Sequence, residues 1–156
     1  MSAPEPKKAA AVRFEEMTEA HLDAVLAIEG EAYPEPWTRG MFQDEIQNRL
    51  SYIYVARRDE EMVGYCGFWL VLEEAHITTV VVEKNHRGTG VGRGFMEFLL
   101  SKAREVGARY ATLEVRVSNT RARRLYEDFG FHEVAVRPKY YPITKEDAVV
   151  MLKELV

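Results

Sequence analysis

The richest chemistry in this chain lies between Val80 and Gly94. A valine run, Val80-Val81-Val82, leads into Asn85-His86-Arg87-Gly88-Thr89-Gly90-Val91-Gly92-Arg93-Gly94. The β-branched run reads as a strand, the glycines as a tight turn, and the residues from Val91 as a helix. Such a turn points several backbone N–H groups one way, at the positive end of a helix dipole. That makes an anion site, best suited to a pyrophosphate. Glycines there let the backbone approach phosphates with no Cβ in the way. Arg93 stands in the first helical turn, where the dipole disfavours a cation, so an anion nearby would account for it. The expected ligand is a phosphate-bearing cofactor.

Other reactive side chains say less by themselves. In Thr112-Leu113-Glu114-Val115-Arg116-Val117, alternation puts Leu113, Val115 and Val117 on one face and Glu114 on the other. By pattern alone Glu114 is a solvated carboxylate on a polar strand face. Tyr126 falls with Ala122, Leu125 and Phe129 on or beside an apolar helical stripe, which by pattern alone is a core tyrosine. The single Cys66 can form no internal disulfide and reads as a small buried hydrophobe. His21, His76, His86 and His132 have no metal-ligand spacing, so no metal is expected.

The elements that must position these groups follow from periodicity and breakers. Val12–Met17 reads as a strand. Thr18 is the expected N-cap of a helix carrying Leu22, Val25, Leu26 and Ile28. Pro34 and Pro36 end that helix, and a second, short one turns Met41, Phe42 and Ile46 inward. Ser51–Arg57 and Met62–Leu72 form a hairpin around a polar turn. Ala75–Val82 is the strand that feeds the glycine turn. The following helix carries Phe95, Phe98, Leu99, Leu100 and Ala103 and stops at Gly107. Then come a strand over Arg109–Val117, a helix over Asn119–Asp128 and strands over Phe131–Arg137 and Ala148–Leu155. The order is β-α-α-β-β-β-α-β-α-β-β, an α/β class with one mixed sheet.

Composition bounds the partners. With 156 residues, a single domain over 12–156 is expected, preceded by a flexible tail over 1–11. A net charge of -4 makes no bulk electrostatic case for nucleic acid. No run approaches the roughly 18 apolar residues of a membrane span. The start lacks the apolar core of a signal peptide, and a cytoplasmic setting is expected.

Among phosphate sites, a dinucleotide fold needs G-x-G-x-x-G opening a series of parallel βαβ units. Gly88 and Gly90 match, but the third position is Arg93, and a hairpin precedes the turn. No Gly-Lys-Ser/Thr follows, which excludes a P-loop. Instead, Arg87-Gly88-Thr89-Gly90-Val91-Gly92 resembles the Q/R-x-x-G-x-G/A acetyl-CoA loop of the Gcn5-related N-acetyltransferases (GNAT). Ser118-Asn119 followed by Leu125-Tyr126-Glu127-Asp128-Phe129-Gly130-Phe131 resembles that family's second signature. Strand order and turn position agree from about Val12 to Leu155. A narrower resemblance, to the bacterial ribosomal-protein alanine N-acetyltransferases, rests on three stretches. They are Pro36-Trp37-Thr38, Leu113-Glu114-Val115-Arg116-Val117-Ser118-Asn119, and Arg137 with Tyr140-Tyr141-Pro142 and Glu146-Asp147-Ala148. Arg87 replaces the usual Gln, and the tail before Val12 is extra.

The resemblance implies the GNAT fold, with about seven largely antiparallel strands and about four helices. It implies transfer of acetyl from acetyl-CoA to a peptide or protein N-terminus, with the N-terminal alanine of a small-subunit ribosomal protein as the expected target. Lysine or small-amine acetylation on the same fold, or a non-catalytic acetyl-CoA-binding module, are the alternatives. Residue by residue, it implies Glu114 as general base, acting through water, and Tyr126 as general acid. It implies Val80, Val81 and Val82 paired to the pantetheine arm as an added strand. Arg87, Gly88, Thr89, Gly90, Val91, Gly92 and Arg93 would hold the pyrophosphate, and Asn119 the pantetheine part. Tyr33, Trp37, Glu74, Arg137, Tyr140 and Tyr141 are the expected acceptor groove.

Overall fold

A computed structural model describes residues 11–156. The tail expected over 1–11 lies outside the described residues but for its last one. The elements are β1 (Arg13–Glu16), α1 (Leu22–Ala32), α2 (Arg39–Gln47), β2 (Ser51–Arg58), β3 (Glu61–Val71), β4 (Glu74–Val82), α3 (Val91–Glu105), β5 (Tyr110–Arg116), α4 (Thr120–Asp128), β6 (His132–Arg137) and β7 (Ala148–Glu154). The order is the one expected from periodicity.

The seven strands form one sheet in the order β1-β2-β3-β4-β5-β7-β6. Every neighbouring pair is antiparallel except β4 with β5. That parallel pair needs a crossover, and α3 supplies it. No helix among the described residues is long and apolar enough to cross a membrane.

Two cores flank the sheet. On one face α3 sets Phe95, Met96, Leu99, Leu100 and Ala103 against Phe68, Ile77, Ala111, Leu113 and Val115. The recurrence of those α3 residues on one stripe makes the helix amphipathic. Burying each large side chain contributes about 1.5–3 kcal/mol. On the other face Leu22, Val25 and Ile28 of α1 and Phe42 of α2 pack on Ile53, Val55, Tyr65 and Val81.

β4 carries a local irregularity. Its register with β3 steps from Phe68↔Ile77 to Gly67↔Thr79, so Thr78 is an extra residue. Such a bulge inverts which side chains face which layer. Before it, Ala75 and Ile77 enter the α3-side core. After it, Val80 and Val82 do, and Val81 packs under α1.

Two local expectations are corrected. Thr18 does not cap α1 directly. It opens a 3-10 turn over Glu19–His21, in which the Thr18 N–H donates to His21 Nδ1 at 2.9 Å. Met41 does not point inward but is exposed, and Glu45 shares the buried side of α2 with Phe42. Glu45 can be there because Ser51 Oγ, at 2.6 Å, and Trp69 Nε1 both donate to its Oε1.

Candidate active site

β4 and β5 pair only over Glu74–His76 and Tyr110–Thr112. Beyond that the bulge bends β4, while β7 holds β5 along its whole length. The strands therefore part toward their carboxyl ends, the usual place for a ligand in such sheets. A cavity of about 460 Å³ opens there. Thr78, Thr79 and Val80 form its β4 wall, and Leu113 to Arg116 its β5 wall. Asn119 and Tyr126 enter from α4. Tyr33 and Trp37 come from the α1–α2 loop, and Tyr140 and Tyr141 from the β6–β7 loop.

One end of this region suits an anion. Gly88 and Gly90 have φ of +77° and +86°, the left-handed region where L side chains are strained. Gly90 caps α3, so the first N–H groups of that helix have no intrahelical acceptor. Arg87 Nε donates to Val82 O at 3.0 Å, and Thr89 Oγ1 donates to His86 O at 2.5 Å, which closes the turn. The Arg93 guanidinium pairs with Asp128 at 2.7 Å and lies 5.8 Å from the Phe129 ring centroid. Arg121 also stands beside the turn: a Cβ placed on Gly88 would come within 3.3 Å of its Nη2. Asn119 Oδ1 accepts from Ala122 N at 3.1 Å, which caps α4, and Asn119 lines the cavity.

The other end gathers ionisable groups. Glu114 Oε2 lies 2.7 Å from His76 Nε2. That hydrogen bond lowers the Glu114 carboxyl below its ordinary value, with burial opposing and the charges of His76 and Arg137 helping. It raises the His76 imidazole in turn. Burial pushes the Tyr126 phenol up to about 12, with Tyr33 and Tyr141 adding to the rise. Burial also raises Tyr33, then the Glu29 charge, with Arg116 and Arg87 opposing. The Arg116 guanidinium lies 3.9 Å from the Tyr141 ring centroid and donates to Thr144 Oγ1 at 2.9 Å. This fixes the β6–β7 loop as a wall.

Not every expected acceptor residue reaches that wall. Tyr33, Trp37, Tyr140 and Tyr141 do. Glu74 does not line the cavity; it sits where β4 begins, two residues before His76. Arg137 does not line it either; it lies 5.7 Å from the Tyr140 ring centroid and acts on Glu114 and His76 by charge. Sequence reasoning missed His76 and the buried Glu29 and Glu45, both of which line the cavity. The signal for those two was a carboxylate next to or three residues from an apolar stripe position, Ile28 or Phe42.

The glycine turn, the crossover helix and the splayed β4–β5 pair coincide with a family match. The acetyltransferase (GNAT) family is matched over residues 22–131. This chain belongs to the GNAT family. An Escherichia coli (strain K12) relative, "[Ribosomal protein bS18]-alanine N-acetyltransferase", is 33% identical over 132 residues, 83% of this chain and 88% of the relative. A Bacillus subtilis (strain 168) protein that carries the same name provisionally is 36% identical over 146 residues, 93% and 95% of the two chains. The crystal structure of the Escherichia coli ribosomal-protein-S18-alanine N-acetyltransferase superposes with a TM-score of 0.85 at 29% identity, covering 93% of this chain and 94% of that one. Ard1 from Thermoplasma volcanium gives 0.86 at 26% identity, covering 94% and 99%. The protein is thus an acetyl-CoA-dependent N-acetyltransferase. Its residues fit the co-substrate: the turn offers unpaired N–H groups to the phosphates, and β4 past His76 has a backbone edge that β5 does not fill.

Proposed function

We propose that this acetyltransferase acts on peptide α-amines, and that its target is the N-terminal alanine of ribosomal protein S18. The observation that carries this reading is the meeting of Glu114 and Tyr126 on one cavity whose open side is walled by Tyr33, Trp37, Tyr140 and Tyr141. The names of the relatives supply the target. Acetyl-CoA, when bound, supplies an acetyl thioester.

Glu114 then serves as base. Its pairing with His76 keeps it ionised at neutral pH, so it can take a proton from the incoming ammonium through a water molecule. A lowered carboxyl is a weak base, and the substrate must match it. An α-amine near pKa 7.7–8.0 is far more often free at pH 7 than a lysine near 10.4, so the weak base suffices. Tyr126 remains protonated and donates to the departing sulfur. A backbone N–H of Val80 to Val82 polarises the carbonyl, while the turn from Arg87 to Arg93, with Arg121 beside it, holds the phosphates. Asn119 holds the pantetheine part.

The test uses two peptides, one beginning Ala-Arg with a free amine and one N-blocked copy carrying a lysine. Acetylation of the first alone is expected. Acetylation of the second alone would overturn the N-terminal reading. Separately, Glu114→Gln should cut turnover with acetyl-CoA affinity unchanged, and unchanged turnover would overturn its role as base.

A further inference from the structure

His76 is unclaimed by the signatures that identify the family, yet it makes the one side-chain hydrogen bond given to Glu114 among the described residues. The two meet because β4 and β5 are in register for only three residues, ending at His76↔Thr112. One step beyond that pairing, Glu114 is carried toward the cavity while His76 remains beside it. The bond engages Oε2 and leaves Oε1 without a side-chain partner. The imidazole is itself held. Its ring meets the Trp69 ring edge-on at 6.4 Å, and Trp69 Nε1 donates to the buried Glu45. Glu45 is tied in turn to Ser51 at 2.6 Å. A run of contacts across β5, β4, β3 and α2 thus ends on the carboxylate at the cavity.

We propose that His76 is a positioning residue: it fixes the rotamer of Glu114 with one oxygen toward the acceptor amine and, with it, sets the lower pH limit of activity. The proposal rests on the reading of Glu114 as the base. The charged groups facing the imidazole are Glu114 from β5, Glu74 from its own strand and Arg137 at the end of β6; Trp69 from β3 is neutral. Two carboxylates against one guanidinium favour the imidazolium. An imidazolium beside Glu114 keeps the carboxylate ionised to lower pH. Without it, burial is left to raise the carboxyl, opposed by Arg137 alone among the charged neighbours.

The experiment compares wild type, His76→Ala and His76→Gln for peptide kcat/KM across pH, with acetyl-CoA affinity by calorimetry. His76→Ala should lose about tenfold in kcat/KM, the usual worth of one charge-assisted hydrogen bond. Its acid limb should move to higher pH. His76→Gln keeps a donor without the charge, so it should recover most of the rate at neutral pH and still show the displaced limb. Acetyl-CoA affinity should not change in either variant. NMR titration of the His76 ring gives a readout without turnover: its pKa should stand above the ordinary imidazole value and fall in Glu114→Gln. A ring that titrates normally and ignores Glu114→Gln overturns the proposal. So does a His76→Gln limb that coincides with wild type while Glu114→Gln is inactive, and that outcome leaves Glu114 as base intact. Full activity in Glu114→Gln would instead remove the reading on which the proposal rests.

Discussion

Tyr65→Phe removes a single oxygen from the protein's interior, and the cost can be worked out beforehand. Tyr65 is fully buried, and its hydroxyl donates to Glu29 Oε2. The other carboxylate oxygen accepts from the Trp37 N–H at 3.3 Å. Glu29 is only 5% exposed, and neutral donors satisfy it. Phenylalanine fills nearly the same volume, so the cavity contribution is small and the loss is one hydrogen bond to a buried charge. Such bonds contribute about 1.5–3 kcal/mol, so roughly 2 kcal/mol should disappear. For a domain of 156 residues this corresponds to a fall in Tm of about 4–8 °C. Urea and thermal unfolding followed by circular dichroism would measure it. Tyr54→Phe is the control: Tyr54 is 6% exposed, but its hydroxyl makes no hydrogen bond among the described residues, and a change within about 0.5 kcal/mol is expected. In a Glu29→Gln background Tyr65→Phe should cost about half as much, because a neutral acceptor holds the hydroxyl less strongly. Equal costs in both backgrounds, or a Tyr65→Phe protein as stable as wild type, would refute the reasoning. The perturbation should also reach function. Glu29 holds the Trp37 backbone, so the peptide KM should rise with acetyl-CoA affinity unaltered.

Three further outcomes are expected. Tyr126→Phe should lower kcat by about 100-fold or more, the typical share of a positioned acid, and leave acetyl-CoA affinity as it was. In wild type that acid must stay protonated, and its pKa is pushed up to about 12 rather than 10. The rate should therefore show no alkaline fall from this group up to about pH 10, and a fall near pH 8 that Tyr126→Phe abolishes would contradict it. Gly88→Ala forces a Cβ into φ of +77° and against Arg121. Acetyl-CoA affinity, read by calorimetry, should drop about tenfold for a strain of about 1–2 kcal/mol, with the fold retained. Gly64→Ala would place a Cβ 2.1 Å from Val81 O, an immovable backbone atom between β3 and β4. A loss of more than about 3 kcal/mol in urea unfolding, or failure to accumulate as soluble protein, is expected.

Element order was legible because each element is punctuated locally. Gly107 and Gly130 stop α3 and α4, and the α3 stripe is periodic enough to fix its buried side. The glycine turn was legible because Gly88 and Gly90 are required by backbone conformation, which leaves a mark in residue type. What stayed hidden depends on pairing between strands distant in sequence. His76 and Glu114 are 38 positions apart, and nothing near either predicts a 2.7 Å contact. Glu29 and Glu45 interrupt apolar faces, and their partners Tyr65, Trp69 and Ser51 lie on other elements. The pairing of Arg93 with Asp128 of α4 was hidden in the same way, since the two lie 35 positions apart.

The bulge at Thr78 joins these observations into one cause. Period-two reading across Ala75 to Val82 would send Val81 into the same layer as Ile77, yet Val81 packs under α1. The extra residue that inverts the pattern also bends β4 from β5, which ends their pairing at His76↔Thr112 and opens the cavity. The same break leaves a backbone edge past His76 for a pantetheine arm and sets His76 at the last paired position, beside Glu114. Removal of the bulge by deleting Thr78 should therefore do more than shift one strand. It should zip β4 onto β5 and close the cavity while Val80, Val81 and Val82 keep their layers, so acetyl-CoA binding read by calorimetry should fail with both cores retained in urea unfolding, and binding that survives the deletion would refute this cause.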